Sequence, residues 1–220
     1  WAGEIGQTQF LPAHYYEFGV DMDGDGRVDL RNNVADVLGS TARLLVYHGW
    51  KRGQPWLQEV RVPEEMPWQE ADIAIQHSRS KWAGWGVTLP GGRSLPTDNV
   101  QASLLLPMGR KGPAFLAYDN FKVYTEWNQS LVYAITASYY ATRLAGAPAY
   151  NKGRGEVEPF SAQQVQELQR LLTRDGADVG EVDGKMGLKT RQAVKQAQLK
   201  FGLPADSYPT TELLARLRNE

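Results

Sequence analysis

Four aspartates stand within nine residues in Asp21-Met-Asp-Gly-Asp-Gly-Arg-Val-Asp29. Like charges at that density repel one another, so the segment either stays open to solvent or wraps a cation that compensates them. The alternation of Asp21, Asp23 and Asp25 lets a tight loop turn three carboxylates inward, with Gly26 where a sharp turn is needed. The pattern D-x-[DN]-x-[DN]-G matches a calcium loop through Gly26. Arg27 offers a backbone carbonyl, and Asp29 can bind directly or through water. The pattern then departs, because its twelfth position, usually a bidentate Glu, is Asn32. A closing carboxylate must come from a displaced position, and the nearest later acid is Asp36. The expectation is a structural calcium site drawn from Asp21, Asp23, Asp25, Arg27, Asp29 and Asp36. A solvated Asp/Gly turn is the plain alternative.

The rest of the composition bounds the class. The 220 residues are 42% hydrophobic, enough for one sizeable core and a small second domain. A net charge of -1 gives no electrostatic case for nucleic acid or a membrane surface. No apolar run is long enough to span a bilayer. With no cysteine, disulfides and thiolate chemistry are excluded. The three His lack zinc spacing and read as structural or exposed. The chain opens at Trp1 rather than Met and so reads as a processed or truncated product. Seven Trp offer flat faces that suit sugar rings, although core packing is the commoner use of any one of them.

Periodicity sets the organisation. A helix is predicted from Asn33, its cap, to His48, with Val34, Val37, Leu38, Leu45 and Val46 as its apolar face. From Gly53 to about Thr125 Pro and Gly recur. Val60-Arg-Val62, Leu104-Leu-Leu106, Phe115-Leu-Ala-Tyr118 and Phe121-Lys-Val-Tyr124 read there as brief strands or extended loops. Asn128 is predicted to cap a helix running to about Leu144. Residues 145–159 are rich in Gly, Pro and Ala and read as a linker. Ser161 and Gln164 form a capping-box start for the first of three short helices, near the lower size limit for a domain that folds alone.

The ordered motifs resemble the lytic murein transglycosylase B family of bacterial cell-wall enzymes. They are Trp1-Ala-Gly-Glu-Ile-Gly-Gln-Thr-Gln-Phe-Leu-Pro12, Val20-Asp-Met-Asp-Gly-Asp-Gly26, Asp36-Val-Leu-Gly-Ser40 and His48-Gly-Trp50. Leu104-Leu-Leu-Pro-Met-Gly109, Gly112-Pro-Ala-Phe115, Asp119-Asn-Phe121 and Trp127-Asn-Gln-Ser-Leu-Val-Tyr133 follow in order. Val165-Gln-Glu-Leu-Gln169, Gly180 to Gly187 and Lys189-Thr-Arg-Gln-Ala-Val194 resemble the small peptidoglycan-binding domain often attached to wall hydrolases. The resemblance implies a mainly α (α+β) fold: a lysozyme-like domain with a small β-containing insert over 1–144, a linker over 145–159, and a three-helix peptidoglycan-binding domain over 160–220.

It also implies an activity: non-hydrolytic cleavage between N-acetylmuramic acid and N-acetylglucosamine. One Glu acts as acid and then base, and the muramic acid's C6 hydroxyl attacks C1 to leave a 1,6-anhydro end. In the family that Glu stands in an E-[ST]-x-[aromatic]-G motif upstream of the Trp-Ala-Gly segment, and no such motif occurs in this sequence. The catalytic Glu is therefore expected upstream of Trp1, with this chain alone inactive. Glu4 and Glu126 are weak substitutes that read as surface carboxylates. The alternative function is a non-catalytic peptidoglycan-binding protein.

The implied substrate contacts are Gln9, Phe10, Trp127, Asn128 and Tyr133. Gln9 matches a Gln whose amide meets an N-acetyl group or sugar. Phe10 is split between flooring a subsite and core packing, and Asn128 between helix cap and sugar contact. Trp127 stands where relatives show Tyr. Asp183, Thr190 and Arg191 are candidates for a groove holding a peptide stem, with Arg191 facing a stem carboxylate. The expected partners are glycan strands and stem peptides, with other wall enzymes as further candidates. The expected location is the bacterial periplasm or outer membrane. No oligomeric state can be read. The acidic loop, single and next to Gln9, becomes a structural ion site holding one wall of a glycan cleft.

Overall fold

The computed structural model describes residues 3–220, so Trp1 and Ala2 of the first motif lie outside the described residues. The chain divides into one compact unit that ends at Gln54 and a second, Pro55–Glu220.

In the first unit, helix α1 (Pro12–Phe18) starts on a proline whose missing N–H costs nothing at that position. Helix α2 (Val34–Tyr47) is capped as expected by Asn33, whose side chain accepts from the N–H groups of Ala35 and Asp36. Among the described residues of this unit, Phe10, Phe18, Leu30, Val37 and Leu44 are the buried apolar side chains. The predicted apolar face of α2 is corrected. Val34, Leu38 and Val46 are exposed, and the buried face is Asp36, Val37, Ser40 and Leu44. The face is chosen by polar anchors that a hydrophobic count does not weigh. Asp36 binds the preceding loop, and Ser40 Oγ accepts from Val20 N at 2.9 Å.

The second unit is built on a four-stranded antiparallel sheet of β1 (Leu57–Val60), β2 (His77–Ser78), β3 (Gln101–Leu105) and β4 (Ala114–Ala117), in the order β1-β4-β3-β2. Successive residues of β4 point to opposite faces, and all four are buried because both faces are covered. Ala114 and Leu116 join a cluster with Trp68, Trp82 and Leu104. Phe115 and Ala117 join another with Leu57, Phe121 and Ile135. Trp82, on the short helix α3 (Arg79–Gly84), is fully buried and donates its indole N–H to Ala102 O at 2.8 Å.

Helices α4 (Asp119–Trp127) and α5 (Leu131–Leu144) cover the second face. Phe121 to Tyr124 is thus helical rather than extended: Phe121 and Val123 are buried in α4, where a short apolar run cannot be told from a strand by alternation alone. The cap of α5 is Ser130, not Asn128. Ser130 Oγ accepts from Tyr133 N, and Asn128 instead ends α4.

Helices α6 (Ala162–Arg174), α7 (Leu188–Lys200) and α8 (Thr211–Arg218) close around Leu168, Leu172, Val194, Leu213 and Leu217. The Ser161–Gln164 capping box is formed. Buried Gln169 ties the α6–α7 loop. Its amide donates to Glu181 O, Asp183 Oδ1 and Lys185 O, and its carbonyl accepts from Gly184 N.

This helical trio is fastened to the sheet. Arg191 donates to Pro107 O at 2.6 Å and to Leu106 O at 3.4 Å, Lys195 pairs with Asp72 at 2.9 Å, and Asp206 accepts from Arg110 N at 2.9 Å. The stretch between α5 and α6 has no regular structure, yet it is strapped down. Asn151 N bonds Glu59, and Arg154 N and side chain bond Lys111 O, Arg110 O and Glu64 O. Gly153 (φ 102°) runs so close that a Cβ there would sit 2.2 Å from Lys111 O.

Candidate functional site

In the first unit a turn and a loop stand on the same short core. The turn, Gly6 to Gln9, is closed by reciprocal backbone bonds between Ile5 and Phe10, at 2.7 and 2.9 Å. Gly6 is required, because at φ 73° a Cβ would lie 2.2 Å from Leu30 O. Gln9 takes a left-handed φ of 54° without being glycine, a conformation that costs energy and is kept where the surroundings impose it. Its side chain is exposed, with the amide N–H reaching back to Gly6 O at 3.3 Å and the rest of the amide free to meet a ligand. Phe10 is only 1% exposed. Of the two roles open to Phe10, its burial supports core packing and not a sugar-facing floor: the ring backs the turn from inside.

The acidic loop is ordered by its own carboxylates. Asp21 accepts from the N–H groups of Gly24, Asp25 and Gly26. These bonds, that of Gly26 first, hold its carboxyl below the ordinary value. Asp36, fully buried, accepts from Met22 N at 2.7 Å and Asp29 N at 2.8 Å, so it clamps both ends of the loop to α2. Oxygens of Asp21, Asp23 and Asp36 lie within 4.8 Å of one another, a donor set for a hard cation. Asp36, the acid expected to close the loop from a displaced position, belongs to that set.

Asp25 and Asp29 do not join that group. Asp25 turns to Arg27 N at 2.9 Å, and Asp29 accepts from Arg31 N and Asn32 N at 2.9 and 3.0 Å. The last two bonds, with Asn32 first, lower the Asp29 carboxyl from its ordinary value. Both carboxylates shape the turn. The Arg27 side chain is exposed and reaches Asp25 at 3.7 Å.

In the second unit Trp127 is the last residue of α4 and Asn128 its C-cap. Asn128 Oδ1 accepts from Ser130 N at 2.9 Å. Tyr133 is 49% exposed in the first turn of α5. Because one helix ends and another begins between Asn128 and Tyr133, single-helix angular spacing does not separate them. Glu126 and Glu4 are exposed carboxylates.

The stem candidates separate. Asp183 lies in the α6–α7 loop, its carboxyl lowered by the bond from Lys185 N and then by that from Gln169. Thr190 is buried and bonds Val179 O. Arg191 is corrected: it is 8% exposed and spent on Leu106 and Pro107, so it faces the sheet-bearing part and not a ligand. Sequence reading missed the residues opposite that loop, Gln129 to Val132, which line a groove of about 800 Å³ with Glu181, Asp183 and Lys189. Only the docking of the helical trio brings them together, and no local motif signals it.

The transglycosylase SLT domain model matches residues 1–142, and a peptidoglycan binding domain model matches residues 161–217. Membrane-bound lytic murein transglycosylase B of Escherichia coli (strain K12) is 33% identical over 137 residues, covering 61% of this chain and 36% of that protein. The crystal structure of SltB3 from Pseudomonas aeruginosa in complex with NAG-anhNAM-pentapeptide is similar over 99% of this chain and 59% of that one, at 43% identity and a TM-score of 0.84. The Escherichia coli lytic transglycosylase Slt35 in complex with calcium matches 66% of this chain and 45% of that one, at 30% identity and a TM-score of 0.50. The chain thus spans about a third of the curated relative's length and about three fifths of the SltB3 chain.

Proposed function

We propose, from the premise that this chain belongs to the transglycosylase SLT domain family, that it supplies the sugar-binding half of a lytic transglycosylase acting on peptidoglycan. The bond cleaved joins N-acetylmuramic acid to N-acetylglucosamine. A glutamic acid protonates the leaving glycosidic oxygen. The same carboxylate then takes the proton of the muramic C6 hydroxyl as that oxygen bonds C1, so the product is a 1,6-anhydro sugar and no water is consumed. No Glu of these 220 residues stands in an E-[ST]-x-[aromatic]-G motif, so the acid is assigned to a part of the protein outside them.

The observation that carries the reading is Gln9. A strained backbone presents an exposed amide, and an amide offers both the donors and the acceptor that an acetamido group needs. Asn128, Trp127 and Tyr133 are assigned to the glycan as well. Asp21, Asp23 and Asp36 are assigned to a structural calcium, which when bound neutralises the loop; the relative solved with calcium supports this. The division into a catalytic-fold domain over 1–144 and a wall-binding domain over 160–220 is supported by the two family matches. The location proposed is the periplasm or the outer membrane. Among the described residues no helix is long and apolar enough to cross a membrane.

Digestion of murein sacculi by the intact protein, read by mass spectrometry, tests this. Anhydro-muropeptides are expected, and hydrolytic reducing ends would overturn it. The second reading, a wall-binding protein without turnover, is favoured for these 220 residues alone by the absent acid motif. Sacculus binding with no released product is its expected result.

A further inference from the structure

One edge of the sheet is left half-paired. Strand β1 is an outer strand, laddered on one side, to β4. Backbone groups alternate sides along a strand. Tyr118 N donates to Trp56 O at 3.0 Å, so Trp56, Gln58 and Val60 turn toward β4. Leu57, Glu59 and Arg61 turn the other way. Arg61 is satisfied there: its N–H donates to Thr88 O at 2.7 Å, and its carbonyl accepts from Thr88 N at 2.9 Å. In the antiparallel sense the next partner, for Glu59, would be Pro90. Proline has no N–H to give, and Pro90–Gly92 turns the chain away. Among the described residues no backbone group bonds the outward N–H and C=O of Leu57 and Glu59. The opposite edge strand, β2, is only two residues long and runs straight into α3, a common way of blunting an edge.

The open edge lies along a groove of about 630 Å³. One wall is the Leu89–Pro90 turn with Arg93; the other comes from α5 and the strap at Ala147 to Asn151. Phe115, Tyr139 and Tyr150 line it as an aromatic cluster, with Tyr139 and Tyr150 edge to face at 5.1 Å. Tyr150 leaves 45% of its surface exposed. Arg93 is exposed and, among the described residues, has no ion pair. The outward groups of Leu57 and Glu59 stand roughly 7 Å apart, the repeat of alternate residues in a strand. An extended peptide presents donors and acceptors at that same repeat. A sugar could stack on the two tyrosines but would leave the alternating edge groups unmatched. In a strand laid beside β1, alternate side chains fall on the face that Leu57 shares with Phe115. Those side chains meet the aromatic cluster and are apolar, and Arg93 calls for a carboxylate.

We propose that this groove binds an extended segment of a partner protein, which adds a fifth strand beside β1. The segment sets an apolar side chain against Tyr139 and Tyr150 and an acidic one at Arg93. The site goes beyond the glycan reading and does not depend on it, because no residue assigned to sugar lines this groove.

Selection of displayed random L-heptapeptides on the intact protein tests it, with Glu59→Pro as the counter-target. Proline is tolerated on an edge whose N–H faces outward, and it removes that donor. Glu59→Gln keeps the donor and the side-chain oxygen that Asn151 N uses, so it separates loss of the edge from loss of the carboxylate. The enriched peptides should alternate apolar and polar residues and carry one acid. N-methylation along a synthetic copy should weaken binding about tenfold at every second residue, where one backbone hydrogen bond to β1 is lost, and little in between. Arg93→Glu should weaken it about tenfold as well. The N-methyl scan and Arg93→Glu decide the matter even where Glu59→Pro fails to fold. No enriched peptide, an N-methyl scan without alternation, or equal binding to folded Glu59→Pro would overturn the proposal. So would displacement of the peptides by a stem-free tetrasaccharide of the glycan, which would make the groove a sugar subsite. Leu57 and Glu59 amides already protected from hydrogen exchange in the intact protein would show the edge closed by its own chain, and that too would overturn it. Sugar binding at Gln9 is read separately, by the Gln9 amide shift with the tetrasaccharide, and stands or falls by itself.

Discussion

At the centre of the unit that ends at Gln54 is a carboxylate, Asp36, with none of its surface exposed and two loop N–H groups on its oxygens. At the centre of Pro55–Glu220 is an indole, Trp82, also without exposed surface and surrounded by apolar side chains on the face of a sheet. The three apolar clusters of the described residues all lie after Gln54. A unit that small, with five buried apolar side chains among its described residues, gains its order from directed bonds, whose value depends on every donor having its acceptor. The sheet and the helical trio gain theirs from area removed from water, which tolerates local change better. Conditions that act on charge should therefore reach one part of the chain first.

That contrast can be broken at several points. The largest effect is expected from Trp82→Ala, which should lower the stability of the second unit by roughly 4 kcal/mol in urea unfolding. Metal binding by the acidic loop should persist in this variant, and its loss would mean that the two units do not differ as described. Asp36→Ala leaves the Met22 and Asp29 N–H groups without their acceptor. A loss of about 3 kcal/mol is expected, confined by hydrogen exchange to residues before Gln54.

Chelation follows. With calcium at a hundred times its dissociation constant the ion contributes about 2.7 kcal/mol, so a chelator should lower the melting of the first unit and not of the second. No shift in either would remove calcium from the loop. Gln9→Gly should act in the opposite sense, because glycine relieves the left-handed backbone. A gain of up to about 1 kcal/mol is expected, with sugar binding lost. A variant that binds as before would detach Gln9 from the substrate.

The smallest effect concerns pH. The bond from Arg79 holds the Asp98 carboxyl below its ordinary value of 3.8. A lowered native value means that the pair's contribution is present above the unfolded value and is lost as pH falls through the native one. Asp98→Asn should therefore cost melting temperature at about pH 6 and progressively less below about pH 4, while the first unit is unaffected by the change.

How much of this could be read beforehand follows the range of each interaction. The Asn33 cap and the Ser161–Gln164 box are local, and both stand in the structure as the residues imply. The tie of Asp36 to the loop was within reach, since it is the nearest carboxylate after a broken loop pattern. What failed was non-local or degenerate. Phe121 to Tyr124 suits a strand as well as a helix until Ala134 and Ile135 are known to pack on it. Asn128 and Ser130 are both good caps two positions apart, and the bond from Ser130 N to Asn128 decides between them. Arg191 has the chemistry to greet a carboxylate, but its partners are carbonyls more than eighty residues away. Helix α1, at seven residues, is too short for periodicity to announce.

The close passage of Gly153 over Lys111 O bears on force. A slack tether lets a captured polymer drift and be pulled without consequence for the rest of the molecule. Here the chain between α5 and α6 is zipped along the sheet by Asn151 and Arg154, with no room at Gly153 even for a methyl group. A pull on the last three helices is therefore passed to the sheet with almost no give. The strap thus sets the distance between the sheet and the last three helices of this unit, and a longer strap would let that distance vary.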